Sequence, residues 1–121
     1  MSGPLAGVNV LDVASMMAGP YGATLLGDLG AEVIKLEPPG GDPSRTMGPG
    51  RDGTSGVFHG VNRGKRSVVA DLRTDVGRRV LSELLGWADV VVLNQLPSVR
   101  QKLGIDQATL DRYVGLQLQE R

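Results

Sequence analysis

Four cations lie close together in this chain: Arg63, Lys65 and Arg66 in the run NRGKRS, then Arg73 just beyond the next apolar stretch. Such a group could hold a polyphosphate, because guanidinium and ammonium donors make charge-assisted bonds to phosphate oxygens. It could equally form a solvated basic edge. The carboxylates are scattered instead. Asp12 stands inside one apolar run, Glu37 closes a second, Asp71 sits in a third, Asp28 falls near a helix end and Asp75 in a helical first turn. His59 is the only histidine. A base role is open to it, but nothing near it in sequence orients the ring, and a plain loop residue is the simpler reading. The absence of cysteine excludes disulfides, thiolate metal sites and a cysteine nucleophile. One histidine among scattered carboxylates is not a metal ligand set.

Two phosphate-loop patterns fail on inspection. After the first apolar run the chain reads Met17-Ala18-Gly19-Pro20-Tyr21-Gly22, which lacks the G-x-G-x-x-G fingerprint. Gly60 to Ser67 imitates a Walker A loop, but the spacing is wrong and it enters a strand instead of opening a helix. The Gly19-Pro20 helix start remains a seat for an anion through its backbone donors, or a plain means of tight helix–sheet packing.

These residues must be positioned by the elements around them. Apolar runs predict strands at 8–13, 32–37, 67–72 and 89–94. Between the first two, the segment from Met16 to Gly30 predicts a helix, with Pro20 at its first position and Gly30 at its stop. Thr74 is the expected N-cap of a longer helix, whose Val76, Val80, Leu81, Leu84 and Leu85 share one face. Two short helices are expected at Ser98–Leu103 and Asp106–Tyr113. Residues 38–64, rich in Gly, Pro, Asp and Ser, predict a long functional or mobile loop. The final VGLQLQER reads as a weakly apolar, then polar tail. The alternation implies an α/β fold: a Rossmann-like, doubly wound parallel sheet. Ligands should then bind beyond the carboxyl ends of its strands.

Bulk composition narrows the function classes. A hydrophobic fraction of 40% with 21% charged residues reads as a globular domain, and 121 residues suit a single core. Aromatics at 3% leave that core to Val, Leu, Ile and Ala. The net charge of +0 gives no general pull toward nucleic acid or an anionic membrane. No apolar run is long enough for a membrane span, and MSGPLAG has no basic and apolar signal regions, so a cytoplasmic location is expected.

Taken in order, PLAGVNVLD, AGPYGATLLGDLGAEVIKLEPPGGDPSR, VNRGKRSVVADLRTDVGRRVL, ADVVVLN and LGID resemble the start of family III CoA-transferases. That family includes formyl-CoA transferase, the CaiB/BaiF proteins and the α-methylacyl-CoA racemases. The resemblance runs over nearly all of residues 4 to 113. It implies that residues 1–121 are the N-terminal part of a CoA-binding large domain, truncated relative to whole members. Members move CoA between acyl donors and carboxylic acids, or epimerise an acyl-CoA, and two subunits interlock. CoA or acyl-CoA is then a substrate, with no permanently bound cofactor. The implied partners are a second subunit or a complementing C-terminal segment, with no nucleic acid and no membrane. The resemblance places Met16, Met17 and Ala18 along the CoA chain, and Ala70, Leu72 and Arg73 at its adenosine end. Asn94, Gln95 and Leu96 match an N-F-R-type turn, and Lys102 a basic contact on the next helix. The family's E-N-F-R-P-G reads Leu93-Asn94-Gln95-Leu96-Pro97-Ser98 here, so an aromatic and an arginine are missing. The family's aspartate nucleophile has no counterpart in these residues, which implies no turnover by this chain alone. The alternative reading is a non-catalytic Rossmann-like binding or regulatory module.

Overall fold

The computed structural model describes residues 2–119. Five strands form one sheet: β1 (Asn9–Asp12), β2 (Glu32–Glu37), β5 (Arg66–Val69), β6 (Val90–Leu93) and β7 (Leu116–Gln119). Their spatial order is β5-β2-β1-β6-β7, and every pairing is parallel. The chain therefore winds outward from β1 in one direction, then crosses back past it to β6. This reversal makes the gap between β1 and β6 a topological switch point.

The helices that make the crossovers cover both faces. Helix α1 (Ala18–Asp28) packs on one side, over Val10, Ala14, Val33, Val90 and Val92. Helices α3 (Asp75–Trp87) and α5 (Gln107–Tyr113) pack on the other, where Leu81, Leu85 and Leu110 meet Leu11, Leu36, Val91 and Leu93. Covered on both faces, β6 is buried at all four residues, as its unbroken VVVL requires. Helix α3 is capped by Thr74, whose Oγ1 accepts from the Gly77 N–H at 3.0 Å. Its expected apolar face holds at Leu81 and Leu85, whereas Val76 in the first turn is exposed. Helix α4 (Pro97–Leu103) ends at Gly104, in the left-handed conformation that a glycine C-cap supplies.

Four expectations need correction. Helix α1 starts at Ala18, so Pro20 sits two residues inside; the first turn's N–H groups have no intrahelical acceptor, and proline is tolerated there. The third strand leaves the sheet after Val69, although the Ala70 N–H still reaches the Glu37 carbonyl at 3.0 Å. Segment 38–64 is not a structureless loop. It holds a 3₁₀ turn (Pro43–Thr46), a hairpin of β3 (Gly50–Arg51) and β4 (Thr54–Ser55), and helix α2 (Gly56–Asn62). Asp52 and Gly53 make the hairpin turn with φ of 53° and 73°, the positive pair that an Asp-Gly turn provides. Finally, the tail forms β7, in which leucine and glutamine alternate at the strand period.

Candidate ligand site at the carboxyl edge of the sheet

Three charged residues lie inside the sheet layer, and their needs organise the site. Lys35 interrupts β2, and its side chain is 1% exposed. It donates to the Ala14 carbonyl at 3.1 Å, and pairs with Asp42 at 3.0 Å and Asp12 at 3.6 Å. Asp12 also takes Lys65 at 2.7 Å, and Lys65 donates to the Pro20 carbonyl and to Asn62 Oδ1 as well. Glu37 ends β2 fully buried and holds Arg45 at 2.8 and 2.6 Å. Three acids and three bases thus satisfy one another, which is the condition for burying charge at all.

This network ties three loops together. Asp42 accepts from the Met16 N–H at 3.3 Å, and Met16 has a φ of 72°, a left-handed backbone that a side chain disfavours. Asp42 also caps the 3₁₀ turn through the Ser44 N–H and Oγ at 2.8 and 2.7 Å. Asn94, after β6, reaches the other end of the same loop. Its Nδ2 donates to the Ser15 carbonyl at 2.7 Å, and its Oδ1 accepts from the Ser15 N–H at 3.1 Å. Gln95 Nε2 donates to the Val13 carbonyl at 2.6 Å. The loop after β1 is therefore held from both sides.

A cleft of about 320 Å³ lies over the carboxyl ends of β1, β2 and β5. Its walls come from Val13–Ser15, Leu36–Pro39, Ala70–Arg73, Gln95 and Leu103. The walls are mostly apolar, with Arg73 at the rim. Arg73 is exposed and forks onto Asp71 at 3.0 and 3.2 Å. An apolar slot with a cation at its mouth suits a flat, partly apolar ligand that carries an anionic group.

Of the residues expected to contact a ligand, Ala70, Leu72, Arg73 and Gln95 line this cleft. Met16 and Met17 form the exposed turn beside it, and Ala18 faces a different groove, between α1 and β7. Asn94 and Leu96 line a further cleft beyond β6, where Gln95 also contributes. Lys102 lies exposed on α4, and its carbonyl accepts from Arg78 at 2.8 Å. The basic cluster does not assemble. Arg63 pairs with Asp28, Arg66 with Glu32, and Lys65 turns inward to Asp12. His59 is exposed on α2, with its ring edge-on to Phe58. Sequence reasoning missed Asp42, Arg45 and the burial of Lys35. The available signal was a charge inside an apolar strand: Lys35 in EVIKLE had to find a partner.

Three acids line the cleft: Asp71 pairs with Arg73 at the rim, and the two buried ones, Glu37 and Asp42, are committed. Burial alone would raise the Glu37 pKa, but hydrogen bonds from Arg45, the Asp42 N–H and Ser67 outweigh it and hold the carboxyl below its ordinary value. Asp42 follows the same pattern, with burial raising its pKa and the bonds from Ser44 and Lys35 prevailing to lower it. Burial also pushes the Lys65 ammonium down, against the raising effect of Asp12. Glu37 and Asp42 have their acceptor sites occupied and Lys65 has all three donors occupied, so all three are structural ions. Among the described residues, no group of three or more His, Cys, Asp or Glu could hold a metal. No helix among the described residues is long and apolar enough to cross a membrane.

Fold and cleft together define an α/β protein of the doubly wound class with a cleft at the carboxyl edge of its sheet. The profile of CoA-transferase family III matches residues 5–113, and the chain belongs to that family. It is 41% identical over 115 residues to the succinate–glutarate CoA-transferase of Agrobacterium fabrum, covering 88% of this chain and 29% of that protein. It is 43% identical over 109 residues to the acetyl-CoA:oxalate CoA-transferase of Acetobacter aceti, covering 89% and 28%. The crystal structure of a CaiB/BaiF family protein from Brucella suis superposes with a TM-score of 0.87 at 41% identity, covering 94% of this chain and 32% of that one. The chain thus spans less than a third of the length of the curated relatives it matches.

Proposed function

We propose that this chain is the CoA-binding portion of a transferase that moves CoA between acyl donors and carboxylic acids. Family membership supports the chemistry. The observation that carries the binding role is the 320 Å³ cleft, which gathers Ala70, Leu72, Arg73 and Gln95 at the carboxyl edge of the sheet. In this reading, Leu72, Ala70 and the prolines take the adenosine end, and Arg73 exchanges Asp71 for a phosphate. Met16 and Met17, in the turn beside the cleft, lie along the pantetheine arm, while Ala18 is turned to the neighbouring groove. Asn94 keeps the Ser15 loop in place, Leu96 flanks it, and Lys102 adds charge from α4. Calorimetric titration with CoA, acetyl-CoA, NAD and ATP tests it. CoA and acetyl-CoA should bind, and more tightly than the other two. Binding of NAD or ATP at equal or higher affinity would favour a general nucleotide-binding module instead.

We infer further that the chain alone does not turn over. Acyl transfer through a carboxylate needs a nucleophile free to attack the thioester. Of the three acids at the cleft, Glu37 and Asp42 are buried and hydrogen-bonded, and Asp71 is engaged by the Arg73 N–H and guanidinium. An acyl-exchange assay should show no activity with the chain by itself. Turnover abolished by Glu37→Gln or His59→Ala would overturn this.

A further inference from the structure

Beyond β6 and β7, on the same edge of the sheet, lies a second cleft of about 510 Å³. Leu93, Asn94, Gln95, Leu96, Arg100 and Gln119 form most of its wall, and among the described residues no carboxylate lines it. Arg100 enters from α4, one helical turn beyond Leu96. Its Nε and Nη1 are both buried, and neither meets a hydrogen-bond acceptor among the described residues. The amides beside it are already engaged: Asn94 with Ser15, and Gln95 with the Val13 carbonyl. The guanidinium is thus the group here with donors to spare.

A buried donor without an acceptor loses its hydration and gains nothing in return, and the loss is greater for a cation. Folded proteins leave few such groups, so each calls for a cause. Packing of the arginine stem is one cause, but methionine would fill that space without stranding two donors. The other is a ligand that brings the missing acceptors. We propose that this cleft is an oxyanion subsite, in which Arg100 receives a carboxylate or a phosphate group. The guanidinium plane matches either anion through paired donors. Leu93, Leu96 and Pro97 supply the apolar part of the wall. Gln95 lines both clefts, so a ligand in the first and an anion in the second would sit on either side of one side chain.

The test needs no CoA, so its failure would leave the reading of the first cleft intact. The 121-residue chain is unfolded by heat in sodium chloride, sodium phosphate or sodium acetate, at millimolar anion and one ionic strength. Wild type should melt a few degrees higher in phosphate or acetate than in chloride, as a ligand selective for the folded state requires. Arg100→Met should melt no lower than wild type in chloride and lose that increment; Arg100→Lys should keep part of it. A phosphate-only increment assigns the group as phosphoryl, and an acetate-only increment as carboxylate. In parallel, the Arg100 Nε–Hε NMR resonance of wild type should shift on titration with the effective anion. That measurement decides the matter if Arg100→Met does not fold. Equal increments in wild type and Arg100→Met, or an Arg100 resonance unmoved by both anions, would overturn the proposal.

Discussion

Glu37 accepts four hydrogen bonds on one buried carboxylate, and Arg45 supplies two of them. Its folded pKa and that of Asp42 are both depressed, so each contributes stability that is present above the unfolded carboxylate range and lost as pH falls through the folded value. The melting temperature should therefore drop steeply below about pH 4. Glu37→Gln removes one partner of a buried pair and should cost on the order of 3 kcal/mol at neutral pH. It should also flatten the acid limb of the stability profile, because one titrating group is gone. A Glu37→Gln profile parallel to wild type would show that other groups control the acid limb. Arg73 is a different kind of residue, exposed and paired with Asp71. If Arg73 and Lys102 act on CoA by charge, Arg73→Ala with Lys102→Ala should weaken CoA binding more at low salt than at high, since salt screens exposed charges. Equal losses at both ionic strengths, read by calorimetry, would contradict that role.

At the scale of elements, two glycines of α3 make opposite predictions. A Cβ on Gly77 would run into the Asp71 carbonyl, because the turn before α3 folds back on its first residues. Gly77→Ala should therefore destabilise by more than about 1 kcal/mol. Gly86, in the same helix, has open space around its Cβ position. Gly86→Ala should stabilise by roughly 0.5 kcal/mol, through helix propensity and a less flexible unfolded chain. Urea denaturation of the two variants checks both signs. The same contrast explains what was legible in the sequence. Four strands and the helices after them could be read because apolar periodicity reports burial directly. Segment 38–64 was not, since its structure rests on contacts made by buried charges outside any periodic pattern, with Asp42 accepting from the Met16 N–H and pairing with Lys35, and Arg45 pairing with Glu37. The Asp52-Gly53 turn alone was a local signal. At the site, Ala70, Leu72 and Arg73 follow β5 and Gln95 follows β6, and they meet over the carboxyl ends of the two strands between, β2 and β1. The dispersal of Arg63, Lys65 and Arg66 was hidden, because each partner lies far away in sequence.

At the scale of the whole molecule, apolar surface remains open. Met17, Tyr21, Leu25 and Leu29 are exposed at four-residue spacing along α1 and its flanks. Leu116 and Leu118 are exposed on β7, an edge strand, across a groove of about 500 Å³ from α1. Apolar surface beside an unpaired strand edge favours association. Sedimentation should show self-association of the 121-residue chain, reduced by Leu116→Lys with Leu118→Lys; a monomer that binds no apolar dye would contradict this. The central claim concerns the opposite feature, the sheet's carboxyl edge as the seat of CoA. Its most direct measurement is a map of backbone amide NMR shifts during titration with CoA. The amides of Ala70, Leu72, Arg73 and Gln95 should move together in a saturable way, with the Met16–Ala18 turn following. Shifts confined to the amino edge, around Asn9, Glu32 and Asp89, or no saturable shifts at all, would contradict it.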